Sequence, residues 1–226
     1  MKIGMIIAVE IESFLDKYNL QIEKVKTSGF NVYKINKNNA EIFAIRSGAG
    51  QIYAAAATEL LISEFKVDYI INYGVVGAMT DEIAVTSACV VESVVHYNFD
   101  TSDADNCEIG RHLNYPSIYI PTDKKLLDMA LNVDPRLKAV VCASGEKFIG
   151  TKEEKSEIHK QFNTDICDME SAAIVLIADK SNIPCVLIKT ISDSLTGGAD
   201  EFYKAFDEAS KVCMDICDKI IENITI

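Results

Sequence analysis

The stretch Cys167-Asp168-Met169-Glu170-Ser171-Ala172-Ala173 decides how the fold reads. It ends a short apolar strand, presents a Met-Glu pair, and then runs into small residues that open an apolar helix over 171–180. A carboxylate is costly to bury without partners. At a helix start it meets the positive end of the peptide dipoles. Glu170 is therefore expected at the mouth of a helix, facing a cleft, with two oxygens free for ligand hydroxyls. Working outward, Ile- and Val-rich runs predict strands at 2–8, 31–35, 42–46, 69–73, 87–95, 139–143 and 184–190. Helical spacing predicts helices at 10–17, 51–64, 123–132, 152–161, 171–180 and 199–222, with Thr122-Asp123 and Thr151 as N-caps. Strands and helices alternate, and most strands are too apolar for a sheet with one wet face. The pattern is an α/β fold with a buried central sheet. No repeat or linker divides residues 1–226, so a single domain is expected. The polar segment 98–117 is too long for a simple connection and reads as a functional loop or interface.

The totals narrow the function. A net charge of -12 argues against binding a phosphate backbone or an anionic membrane surface. Seven cysteines (89, 107, 142, 167, 185, 213 and 217), an odd number with no C-x-x-C pair, fit a reducing cytoplasm better than a disulfide framework. Met1-Lys2 leads straight into a strand followed by Glu10 and Glu12, which is not the pattern of a signal peptide. No apolar run reaches the ~20 residues of a membrane span. His96 and Asp100, without a second histidine at helical spacing, make a poor metal site.

Three acids stand where strands meet turns or helices: Glu12 after the first strand, Glu170, and Asp193 at the end of Val186-Leu187-Ile188-Lys189-Thr190-Ile191-Ser192-Asp193. Ligands of open α/β sheets gather beyond the carboxyl ends of strands. Three carboxylates there can share one pocket. The glycine pairs Gly48/Gly50 and Gly74/Gly77 let backbone approach a ligand or a neighbouring element.

Several segments together resemble the 5′-methylthioadenosine/S-adenosylhomocysteine nucleosidases of the nucleoside phosphorylase superfamily. They are the opening through Glu12, Ser47-Gly48-Ala49-Gly50, Ile71-Asn72-Tyr73-Gly74-Val75-Val76-Gly77, Ser144-Gly145-Glu146-Lys147-Phe148-Ile149, Asp168–Ala173 and Ile188–Asp193. The resemblance runs from Met1 to about residue 220. It implies a mixed central sheet flanked by helices, and a cofactor-free, metal-free N-ribosyl hydrolase. In that family pattern Asp193, oriented by Ser192, protonates the leaving adenine, and Glu12 activates water on the opposite face. Two carboxylates flanking the scissile bond repeat the logic of inverting glycosidases. Glu170 would hold the ribose hydroxyls with Met169 packed beside them. Phe148 would stack on the base, the Ile149 backbone would read it, and Phe202 would close over the ligand. The resemblance also implies a homodimer in which segment 98–117 completes the partner's site.

The chain departs from that pattern at Val75 for Ser, Lys189 for Arg, Glu146 for Asp, and at Val9 and Ala49, which are smaller than usual. The last two family positions lie near the ribose and the 5′-substituent, so a reshaped or enlarged pocket is expected there. Two other enzymes fit less well: a purine nucleoside phosphorylase, and a nucleosidase for another modified purine nucleoside. A carboxylate at Glu12 would repel an incoming phosphate. Retention of all three acids argues against a catalytically dead nucleoside sensor.

Overall fold

The structure is a computed structural model that describes residues 1–27 and 29–224. Along the chain the elements are β1 (Lys2–Ile7), α1 (Ile11–Tyr18), β2 (Glu23–Lys26), β3 (Asn31–Lys37), β4 (Ala40–Arg46), α2 (Gln51–Ser63), β5 (Tyr69–Ala78), β6 (Ala88–His96), α3 (Ser102–Asp105), β7 (Ile120–Pro121), α4 (Lys124–Val133), β8 (Lys138–Ser144), α5 (Lys152–Phe162), β9 (Ile166–Asp168), α6 (Ser171–Lys180), β10 (Cys185–Asp193) and α7 (Ala199–Ile224). The strands form one mixed sheet in a single α/β domain.

β5 is the hinge of the sheet. It pairs in parallel with β1 through Tyr73 and with β10 along most of its length, and antiparallel with β9 at Gly77 and Ala78. β10 continues antiparallel to β6, then β6 to β8 and β8 to β9 run parallel. Those five strands close on themselves, because β9 returns to β5. β1, β4, β3 and β2 extend from β5 as an open wing. β1, β4, β5 and β10 all run parallel, so their carboxyl ends share one edge. The antiparallel β5–β9 contact brings the Asp168-Met169-Glu170 corner to the same place.

The sheet is covered on both faces, which is why its inner strands are mostly apolar. α2 and α6 contribute Ala54, Ala57, Leu61, Ala172 and Ile174 to one core. α1, α4 and α7 contribute Phe14, Leu126, Leu127, Cys213 and Ile220 to the other. α7 buries Ala205, Ala209, Cys213, Cys217 and Ile220, one helical face at spacings of three and four. Six of the seven cysteines are buried and none is paired, so they act as small hydrophobes here. Asp123 and Thr151 cap α4 and α5 as expected, accepting from the Leu126 and Glu154 amides at 2.9 and 3.3 Å. β2 is an addition to the sequence reading: Glu-Lys-Val-Lys is too polar to stand out, and it is an edge strand held only by β3. Among the described residues no helix is long and apolar enough to cross a membrane.

Candidate active site

A cavity of about 750 Å³ opens at the shared carboxyl edge of the strands. Its walls come from the turn after β1, the end of β4 and its following loop, the second half of β5, the loop after β8, the β9–α6 corner, the end of β10 and the first two turns of α7.

One acid is not where the sequence placed it. Glu12 lies within α1 and is exposed, outside the cavity wall. The buried face of that helix is Ile11, Phe14 and Tyr18. Glu12 sits ~100° from Ile11 at 3.6 residues per turn and so points away from the core. The carboxylate that reaches the cavity is Glu10, which is 3% exposed and immediately precedes the helix. Glu10 accepts from the Val9 amide at 2.9 Å and from the Val75 amide at 2.8 Å. It is held by backbone donors rather than by a cation. Gly74 makes room for it: a Cβ there would stand 3.0 Å from Glu10 Oε1.

Asp193 forms another part of the wall and is 1% exposed. Its Oδ1 accepts from Ser192 Oγ at 2.9 Å, and its Oδ2 accepts from the Lys155 ammonium at 2.5 Å. Burial raises the Asp193 pKa above the usual carboxylate range, against the lowering pull of Lys155 and Ser192. Gly77 lies beneath: a Cβ there would meet Asp193 Oδ2 at 3.0 Å and Cys167 Sγ at 3.1 Å.

Glu170 sits at the start of α6, 8% exposed, with Met169 beside it in the wall. It accepts from the Gly50 amide at 2.8 Å and the Met169 amide at 3.3 Å. Burial, and then the neighbouring Asp168 charge, push its pKa up to about 7. Asp168 itself is held low: burial acts to raise it, but the Lys189 ammonium 2.8 Å away, in a side-chain pair only 2% exposed on each partner, more than offsets that. Lys189 therefore braces the corner from below and is not part of the cavity wall. Gly74, too, lies behind the wall under Glu10 rather than in it. A second brace joins Gln51 to the corner. Its Nε2 donates to Ser144 Oγ at 2.9 Å and its Oε1 accepts from the Ala173 amide at 2.7 Å. Glu146 accepts from the Gln51 amide at 2.8 Å and closes the N-terminus of α2.

The remaining expected positions gather at the cavity. Phe148 is half-exposed and meets Phe202 edge-on, ring centroids 5.7 Å apart at 84°. Ile149 is buried beside it, and Val9, Ala49, Val75 and Ser192 also contribute to the wall. Sequence reasoning missed Glu10, Lys155 and the α7 side chains Tyr203, Phe206 and Asp207. The spacing Lys155, Ile158, Phe162 would have revealed the second, since it places a lysine on the apolar face of α5. Among the described residues no group of three or more His, Cys, Asp and Glu side chains is arranged to hold a metal.

Residues 2–222 match the family model of the phosphorylase superfamily. The chain is 32% identical, over 99% of its length and 98% of the relative's, to a 5′-methylthioadenosine/S-adenosylhomocysteine nucleosidase of Desulfotalea psychrophila. A Staphylococcus aureus protein of the same name is 30% identical over 93% of this chain and 94% of its own. The solved futalosine hydrolase of Helicobacter pylori, a mutant form, superposes with a TM-score of 0.93 at 24% identity, covering 99% of both chains, and so shares the fold.

Proposed function

The chain belongs to the phosphorylase superfamily, in its methylthioadenosine/adenosylhomocysteine nucleosidase family, and we propose that it hydrolyses the N-glycosidic bond of 5′-substituted adenine nucleosides, releasing adenine. The observation that carries this reading is the pair of buried carboxylates in one cavity, Glu10 and Asp193, held in different ways. Glu10 is fixed as an acceptor by two amides, as a group that takes a proton from water should be. Asp193 has a raised pKa, as a group that must carry a proton to the leaving base should have.

In the proposed step the C1′–N9 bond breaks and its electron pair leaves with adenine. The Asp193 O–H proton moves to adenine N7. Water bonds to C1′ from the other face, and its proton passes to Glu10. Glu10 then releases its proton to solvent and solvent returns one to Asp193, so one water is consumed overall. Glu170 takes the ribose hydroxyls, and its charge favours the cationic sugar. Phe148 and Phe202 supply the aromatic contact to the base, and the Ile149 backbone reads its edge.

Three further properties belong to the same reading. The chain works as a homodimer, supported by exposed apolar residues on α2 (Ile52, Tyr53) and on the long loop (Leu113). Segment 98–117, irregular apart from α3, then completes the partner's site. The unpaired cysteines support a cytoplasmic location.

The test is product analysis with methylthioadenosine, adenosylhomocysteine, adenosine, inosine and futalosine, with and without phosphate. Free adenine and free sugar at every phosphate concentration are expected. A sugar 1-phosphate, or release of base from inosine or futalosine alone, overturns the assignment.

A further inference from the structure

Among the described residues Lys155 is the most deeply buried cation, and it stands in contact with Asp193. It occupies the first turn of α5, on the same face as Ile158 and Phe162, and its side chain is 0% exposed. A lysine is almost never buried without a demand on its charge. Its ammonium makes three contacts: Asp193 Oδ2 at 2.5 Å, the Ser194 carbonyl at 2.6 Å and the Gly197 carbonyl at 3.3 Å. An ammonium has three hydrogens, so these contacts use all of them and leave none for a ligand. Two contacts pin the turn between β10 and α7, and the third grips the carboxyl.

We infer that Lys155 is the positioning residue for Asp193, aiming its carboxyl at the base and stabilising the negative charge that remains once the proton has left. The inference rests on Asp193 being the general acid. A neutral acid can sit in a dry pocket at small cost, but the carboxylate it becomes cannot. The transition state creates that carboxylate, and the fixed ammonium meets it without reorganisation. Lys155 gives up no proton in this step. On the base side of the sugar the O–H bond broken is that of Asp193, and the N–H bond formed is on the purine. Ser192 holds the other oxygen, so the carboxyl cannot rotate away. The remaining groups around Asp193 are Glu201 on α7, bonded to the Ser194 amide at 2.6 Å, and Cys167 on β9. Burial pushes the Cys167 thiol up to about 12, so it stays neutral across the working pH range. Glu201 adds negative charge, which leaves Lys155 as the cation that counters it.

The experiment is the pH dependence of kcat and kcat/KM for methylthioadenosine in Lys155→Met and Lys155→Gln. The glutamine amide can still bond the Ser194 or Gly197 carbonyl, so it keeps the turn pinned while dropping the charge. Both variants should lose about 10²-fold in kcat, with KM little changed. Their alkaline limb should move up by about one pH unit or more, because a neighbouring cation normally holds a carboxyl down by that amount. Adding Lys155→Met to Asp193→Asn should cost no more than about twofold, since the charge to be stabilised is gone. Melting curves identify a variant that has merely unfolded, and Gln then stands in for Met. Loss of kcat with an unmoved limb, or a fully additive double variant, shows a structural pin only and overturns the inference. Wild-type kcat in either single variant does the same. Full activity in Asp193→Asn alone refutes the general-acid reading instead, so the two failures are distinguishable.

Discussion

Replacing Glu10 by glutamine separates the two acids near the amino terminus. The Glu10 carboxylate uses Oε1 for the Val75 amide and Oε2 for the Val9 amide. Glutamine offers one acceptor oxygen and one donor NH₂, so one of those amides loses its partner and faces another donor. An unsatisfied buried donor costs about 1–3 kcal/mol. At about 2–4 °C per kcal/mol for a chain of this size, Tm should fall by about 2–12 °C. The catalytic effect should be larger. Loss of a general base typically costs ~10²–10⁴-fold, or about 3–5 kcal/mol of barrier at ~1.36 kcal/mol per decade. Glu12→Gln changes an exposed position and should stay within about 0.5 kcal/mol of wild-type stability. Its turnover should be unchanged. The assay is adenine release at saturating methylthioadenosine, with thermal melts of all three proteins. A dead Glu12→Gln beside an active Glu10→Gln would refute the reasoning outright and return the base to the exposed residue.

Gly77→Ala should lower kcat at least about tenfold and cost about 1–3 kcal/mol, because its Cβ would press on Asp193 Oδ2 at 3.0 Å and Cys167 Sγ at 3.1 Å; steady-state kinetics and melts check both. Lys189→Met leaves Asp168 buried without its cation and should cost about 3–5 kcal/mol in urea unfolding. The folded-state pKa of Glu170 is raised to about 7, so the native protein holds a proton that the unfolded chain releases, and stability falls as pH rises toward 7. Glu170→Gln removes that dependence, and its stability relative to wild type should improve by on the order of 2–3 kcal/mol between pH 5 and pH 8; a gap that stays constant with pH contradicts the shift. Val9 and Ala49 leave room in a cavity of about 750 Å³, so methylthioadenosine and adenosylhomocysteine should have kcat/KM values within about two orders of magnitude of each other and above that of adenosine.

Much of the sheet was legible because its signal is local. β1, β5 and β10 are mostly apolar, rich in Ile or Val, and buried along nearly their whole length. The Asp168–Ala173 corner was legible for the same reason, since a strand end and an Ala-rich helix start adjoin within seven residues. What stayed hidden depended on direction or on distant partners. Glu10 and Glu12 are alike in composition, and only the phase of α1, fixed by Ile11, Phe14 and Tyr18, decides which one faces inward. Lys189 lies on a strand buried throughout, so its burial could be foreseen, but its partner Asp168 lies 21 positions earlier in the chain and on a different strand. The α7 contribution could not be foreseen either, because Tyr203, Phe206 and Asp207 reach the cavity only once the turn after β10 is set.

The site concentrates negative charge in a protein that already carries a net charge of -12. Glu10, Asp168, Glu170 and Asp193 all lie in its wall. The fold treats them in two ways. Asp168 and Asp193 each have a buried lysine. Glu10 and Glu170 accept from backbone amides, which hold them in place without a lysine bonded to either. Carboxylate charge in a poorly solvated pocket acts strongly on whatever enters beside it. A sugar that becomes cationic as its bond to the base breaks is drawn in and stabilised. A phosphate dianion is repelled by carboxylate charge there, and the cations in the cavity wall are poorly placed to relieve that: Arg46 and Lys147 are both exposed, and Lys147 is bonded to Glu154. The division between lysine-paired and amide-held carboxylates therefore favours water over phosphate as the nucleophile.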